Sequence, residues 1–300
     1  MPPALLRYLV VSYALAALLG GGAALIGQGP GTLGFVALAA LMMWTPTVGA
    51  WAAQRAKGEA LVEPLGLRPV LNRWLLVAVL APLGLALLTT GFQLLMPGVS
   101  FNPDPASILS RVSGVMSPDQ LAEATATLSE LPIHPYWLSL LQAVGAGLTV
   151  NALFAFGEEV GWRGFMLKAL HGRGFWSVSL LTGVAWGFWH APVILQGYNY
   201  PQHPLLGVPL FAVFCVLLSP LHTLVRERGG SVWHAAVLHG TFNAAAGVPL
   251  LVVTGGDDLT TGAVGLPGMM SLVVANGLIW LWRRREARLD PQAQYAVPSM

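Results

Sequence analysis

The apolar residues of this chain come in long, nearly uninterrupted blocks separated by short polar segments. Eight runs of about 20 residues are uncharged or nearly so: Leu5–Ile26, Thr32–Ala53, Trp74–Met96, Tyr136–Phe156, Trp176–Gln196, Leu205–Val225, Ser231–Val253 and Ala263–Trp282. Each is long enough, as a helix, to cross a hydrocarbon core of ~30 Å. Backbone polar groups in lipid must be satisfied within the segment, so each block predicts an α-helix. The expectation is an all-α polytopic membrane protein with eight transmembrane helices, forming one integral-membrane domain over residues 1–300. No internal repeat or low-complexity tract divides it. Composition agrees: 55% of residues are hydrophobic and 9% charged, with a mean hydropathy of +0.65, against roughly 25% charged residues in a water-soluble domain.

The net charge of +2 says little until it is sorted by loop. Arg7, the group Arg55, Lys57, Arg68 and Arg73, the group Arg163, Lys168 and Arg173, the pair Arg226 and Arg228, and the tail residues Arg283, Arg284, Arg285 and Arg288 all fall on one side of an eight-span arrangement. That is 14 of the 15 basic residues. Arg111 alone falls on the other side, among Asp104, Asp119, Glu123, Glu130, Asp257 and Asp258. The positive-inside rule then predicts a cell-membrane protein with both termini cytoplasmic. The first run exceeds the ~7–15 apolar residues of a signal-peptide core, so it is expected to stay as a span. Cys215, the only cysteine, excludes an intrachain disulfide and a multi-cysteine zinc site, and reads as a small packing residue.

Between the blocks the chain has legible punctuation. Thr45-Pro46-Thr47 and Pro192 interrupt spans two and five; Pro46 reads as a packing kink. Gly58–Asn72 mixes apolar and charged residues and is expected at the cytoplasmic interface. Within the long hydrophilic stretch Pro97–Pro135, Ser117 followed by Pro118 predicts a capped helix. Trp233, Trp280 and Trp282 lie near span ends and read as interfacial anchors. Gly145, Gly147, Gly157, Gly161 and Gly164 predict close helix approach around the one acidic cluster associated with a span.

That cluster is Glu158-Glu159-Val160-Gly161-Trp162-Arg163, at the end of an uncharged stretch. Carboxylates beside hydrocarbon are costly and mark a wet cavity or a partner. On a helix Glu159 and Arg163 are i,i+4 neighbours that can pair, while Glu158 is turned about 100° away. One glutamate is thereby committed to arginine and the other left free to act as a general base. His239 and Asn243 share a helix face by the same i,i+4 spacing, and His190 lies well inside span five. A lone membrane histidine is ordinarily a helix–helix hydrogen bond; three such polar groups with a glutamate form a candidate site. His222 and His234, near span ends, read as structural. There is no H-E-x-x-H zinc motif, no intramembrane G-x-G-D, and no G-x-S-x-G nucleophile elbow.

Taken in order, these residues resemble the CPBP membrane proteases, the family of the CAAX prenyl endopeptidases and the bacteriocin-processing Abi proteins. The family pattern E-E-x-x-x-R, F-x-x-x-H, H-x-x-x-N reads here Glu158-Glu159-x-x-x-Arg163, Trp186-x-x-x-His190 and His239-x-x-x-Asn243. Residues 136–253 correspond to the family's catalytic core. Trp186 stands where the pattern usually has Phe, and is expected to line the pocket and alter its shape. The resemblance implies an intramembrane endopeptidase in which Glu158, with His190, activates water. His239 and Asn243 would stabilise the oxyanion, and Glu159 with Arg163 would hold the site together. No cofactor is required by this reading. Because the family has also been described as metal-dependent, Zn²⁺ at Glu158, His190 and His239 is the alternative.

The expected partners are a hydrophobic or lipidated peptide or protein substrate and membrane lipids, with no nucleic acid. Two other readings compete: a catalytically idle binding or immunity scaffold of the same fold, and a proton-coupled transporter using Glu158 and the histidines as a relay. All the motif residues are present, which opposes the first. The absence of an inverted repeat opposes the second.

Overall fold

The computed structural model describes residues 2–105, 109 and 117–289. Arg111, the lone basic residue of the predicted external side, lies outside them. The chain forms helices α1 (Pro3–Leu25), α2 (Leu33–Met42), α3 (Thr45–Arg55), α4 (Arg73–Gln93), α5 (Pro118–Ser129), α6 (Pro135–Leu148), α7 (Val150–Glu159), α8 (Phe175–Trp189), α9 (Pro204–Gly229), α10 (Val232–Ala245) and α11 (Leu266–Leu289). This is the all-α polytopic architecture expected. Five helices are long and apolar enough to cross a membrane, the joined α2–α3 counting as one, and the bent pair α6–α7 makes up to six. Helix α8, at 15 residues, is shorter than a full span. The eight-span count therefore stays a proposal.

Several of the apolar blocks are not single helices. The run Tyr136–Phe156 breaks at Thr149, and the helices on either side are bent by 54°. The second then continues beyond the block, as a π-helical segment Val160–Met166 and a last turn to Ala169. The E-E-x-x-x-R segment is helical here, with Glu159 and Arg163 paired inside the bundle. The Trp176–Gln196 run likewise stops at Trp189, and Pro192 opens a separate short turn over Ala191–Ile194.

Helix α10 is the centre of the molecule, packed on α4, α6, α7 and α9, while α8 lies along α9. The Thr-Pro-Thr interruption does more than kink a span. Thr47 Oγ1 donates to the Gly157 carbonyl at 2.6 Å, and Thr45 Oγ1 accepts from Trp189 Nε1 at 3.1 Å. Close approach requires the glycines on this side. A Cβ on Gly161 would sit 2.4 Å from Pro46 Cβ and 2.7 Å from the Tyr8 hydroxyl. Gly161→Ala is therefore expected to destabilise the protein by about 1–3 kcal/mol through overpacking, read as a lower unfolding temperature in detergent. Gly145, where a Cβ would meet nothing within 4 Å, serves as the control.

The segments read as cytoplasmic meet at one end of the bundle. Segment 58–72 is irregular and docks on the α9–α10 turn. Arg226 donates to the Leu65 carbonyl, Ser231 to that of Arg68 and Trp233 Nε1 to that of Leu67. Trp233 also stacks on Phe156 at 4.2 Å, so it is tied into the bundle as well as being near a span end. Lys168 pairs with Glu59, and Arg228 with Glu286. At the opposite end a two-stranded antiparallel ribbon, β1 (Val99–Phe101) with β2 (Val253–Gly255), joins two segments read as external. Here Asp258 accepts from His203 Nδ1 at 2.6 Å. The capped helix appears as α5, with Ser117 and Gln120 forming a reciprocal capping box. Reporter fusions after Met300 and within 97–135 should report opposite sides of the membrane. The same side for both would overturn the eight-span topology.

Candidate active site

The π-helical segment follows directly on Glu159, and both glutamates and Arg163 are turned inward. Glu158, Glu159 and Arg163 are 2%, 0% and 1% exposed, too deep for a solvated charge cluster at a helix end. Such π-turns are rare and recur at functional sites. The i,i+4 pair forms as the spacing predicted: Arg163 NH1 donates to Glu159 Oε1 at 3.1 Å. Arg163 NH2 reaches Ser219 Oγ on α9 at 3.3 Å. The guanidinium carbon lies 4.5 Å from the centre of the Trp186 ring, a cation–π contact strengthened by burial. His239 Nδ1 donates to the same Glu159 oxygen at 2.9 Å. Glu159 is thus held from two helices.

Glu158 is held differently. Its Oε2 accepts from the indole Nε1 of Trp186 at 2.7 Å. Trp186 is buried and is more than pocket lining: it is the polar partner of the candidate base. Half-buried His190 does not bond to Glu158 among the described contacts. Its Nδ1 donates to the Trp186 carbonyl at 2.9 Å, which leaves Nε2 with its lone pair when the ring is neutral. The ring is walled by Trp189 and Phe211, each 4.7 Å away between centroids.

Two residues depart from the sequence reading. Asn243 shares the helix face of His239 but is exposed, so it lies at the surface rather than in the enclosed cluster. Only one end of the i,i+4 pair is buried, because the face of α10 emerges from the bundle within one turn. His222, read as structural, is fully buried beside the site. Its Nε2 is 3.9 Å from Glu159 Oε1, and its ring packs 5.2 Å from Trp186 and 5.6 Å from His239. The signal was there: Cys215, Ser219, His222 and Arg226 recur at helical spacing along α9, and all four are buried. His234 is structural as expected, its Nε2 bonded to Asn72 Oδ1 at 3.1 Å.

A metal would find different ligands from those expected. The group whose ligand atoms come within 4.8 Å of one another is Glu159, His222 and His239, not Glu158, His190 and His239. The donor set fits a divalent cation poorly. Arg163 already donates to Glu159 Oε1, and a guanidinium so close repels a second cation.

What the helices define is a polytopic membrane protein with a glutamate–arginine–histidine cluster buried in its bundle. Residues 134–245, which hold every motif residue, match the family model described as type II CAAX prenyl endopeptidase Rce1-like. Over those residues, little more than a third of the chain, the protein is similar to this family of CAAX-type membrane proteases. No curated protein matches the sequence.

Proposed function

We propose that this protein is an intramembrane endopeptidase that cuts a hydrophobic or lipidated peptide with water activated by Glu158. The observation that carries the reading is the unequal engagement of the two glutamates. Glu159 accepts from Arg163 and His239 and is consumed by structure. Glu158 is bonded to a neutral indole N–H, which restrains the carboxylate without neutralising it. A buried carboxylate that makes no direct ion pair among the described residues is a group prepared to take a proton.

Hydrolysis then follows in outline. Glu158 removes a proton from water as the oxygen adds to the scissile carbonyl, and the charge develops on the carbonyl oxygen. His190 Nε2 is the second group able to exchange a proton, its Nδ1 being committed to a backbone carbonyl. Asn243, exposed one helical turn beyond buried His239, is proposed as an amide donor for the oxyanion of a substrate that enters from that surface. Collapse of the adduct breaks the C–N bond, and the proton held by Glu158 passes to the leaving amine.

The test is cleavage of farnesylated and unmodified C-terminal peptides by purified protein beside Glu158→Ala, with and without chelator. Cleavage by the wild type that is lost in the variant and indifferent to chelator supports the proposal. Equal cleavage by both proteins overturns it.

A further inference from the structure

We propose that Trp186 is a positioning residue, which aligns Glu158 and His190 from a single rigid side chain and its own carbonyl. This rests on the reading of Glu158 as the base. The indole N–H holds Glu158 Oε2 at 2.7 Å, and the main-chain carbonyl of the same residue holds His190 Nδ1 at 2.9 Å. No other described residue bonds both groups. Glu158 stands on α7 and His190 at the end of α8, so their relative placement would otherwise depend on how two helices slide.

The indole itself has little room to move. Arg163 covers its face at 4.5 Å, and the rings of His222 and His239 each pack 5.2 Å away. Its backbone is clamped too. A Cβ on Gly187 would lie 2.4 Å from Ala212 Cα, and one on Gly183 would lie 2.6 Å from Val216 Cα. Helix α8 therefore lies against α9 with no space for a side chain, and Trp186 leaves that contact in one direction. A carboxylate has a freely turning side chain, and a donor fixed in this way selects one orientation of it. Phenylalanine fills much of the same volume without the N–H, so the contact belongs to tryptophan.

Trp186→Phe is expected to lower kcat roughly tenfold to a hundredfold at unchanged KM, the scale of one lost charge-assisted hydrogen bond at the reacting group. The pH dependence of kcat should be displaced as well, which a packing defect would not cause. Unfolding temperatures in detergent test the contact independently of activity. Trp186→Phe should lower the wild-type value by more than it lowers that of Glu158→Ala, where the acceptor is already gone. Wild-type kcat in Trp186→Phe, a rise in KM alone, or additive temperature shifts would each overturn the proposal. Should Glu158→Ala itself remain active, the reading of Glu158 as base fails, while the unfolding cycle still reports on the contact.

Discussion

Glu158→Gln is expected to abolish peptide cleavage and to leave the protein folded. The amide has nearly the same shape as the carboxylate, and its oxygen can still accept from Trp186 Nε1, so the bond seen at 2.7 Å survives. What disappears is the ability to take a proton from water. General-base catalysis contributes about 10²–10⁴ in rate, and loss at that scale puts turnover beneath detection in most peptide assays. An unchanged unfolding temperature beside absent cleavage is the expected pair of results. Near-normal turnover in Glu158→Gln would mean that another group activates water.

Glu159→Gln has the opposite signature, a loss of stability that carries activity down with it. The pair with Arg163 is sealed from solvent on both sides, so it escapes the screening that makes surface pairs worth little. Replacing the carboxylate leaves a guanidinium buried with Ser219 and Trp186 but without its directly bonded counter-charge. Breaking such a pair from one side costs about 3–5 kcal/mol, a large share of a typical stability of roughly 5–15 kcal/mol. His239 also loses the charged oxygen that it donates to at 2.9 Å. Thermal unfolding in detergent reads the effect directly. The double variant Glu159→Gln with Arg163→Met should recover part of the loss, since it removes the stranded cation. A wild-type unfolding temperature for Glu159→Gln would show that the pair contributes nothing.

Features that depend on one helix, or on the solvent around it, are legible in the amino-acid sequence. The apolar blocks announce membrane helices because transfer of charge into hydrocarbon is costly wherever the helix lies. The pairing of Glu159 with Arg163 follows from 3.6 residues per turn, and the capping box at Ser117 from four consecutive residues. The gathering of the basic segments at one end, with Lys168 on Glu59 and Arg228 on Glu286, follows from the alternation of loops. The motifs on three separate runs marked which helices carry the candidate chemistry.

How those helices are turned toward one another was left to the tertiary structure. Trp186 reaches Glu158 across 28 positions and His239 reaches Glu159 across 80; neither distance is encoded in a local period. The entry of His222 into the cluster, the emergence of Asn243 at the surface and the bend at Thr149 are of the same kind. The physical reason is the solvent. In water, the apolar stripe of a helix says which face turns inward, but lipid is as apolar as a neighbouring helix, so hydrophobicity does not set the rotation. Rotation is set by close fit, at Gly161 against Pro46 and Gly187 against Ala212, and by polar groups finding each other, as Arg163 finds Ser219. Sequence determined that this chain is a bundle of membrane helices bearing a glutamate–arginine–histidine motif; packing alone decided that Trp186 stands between its glutamate and its histidine.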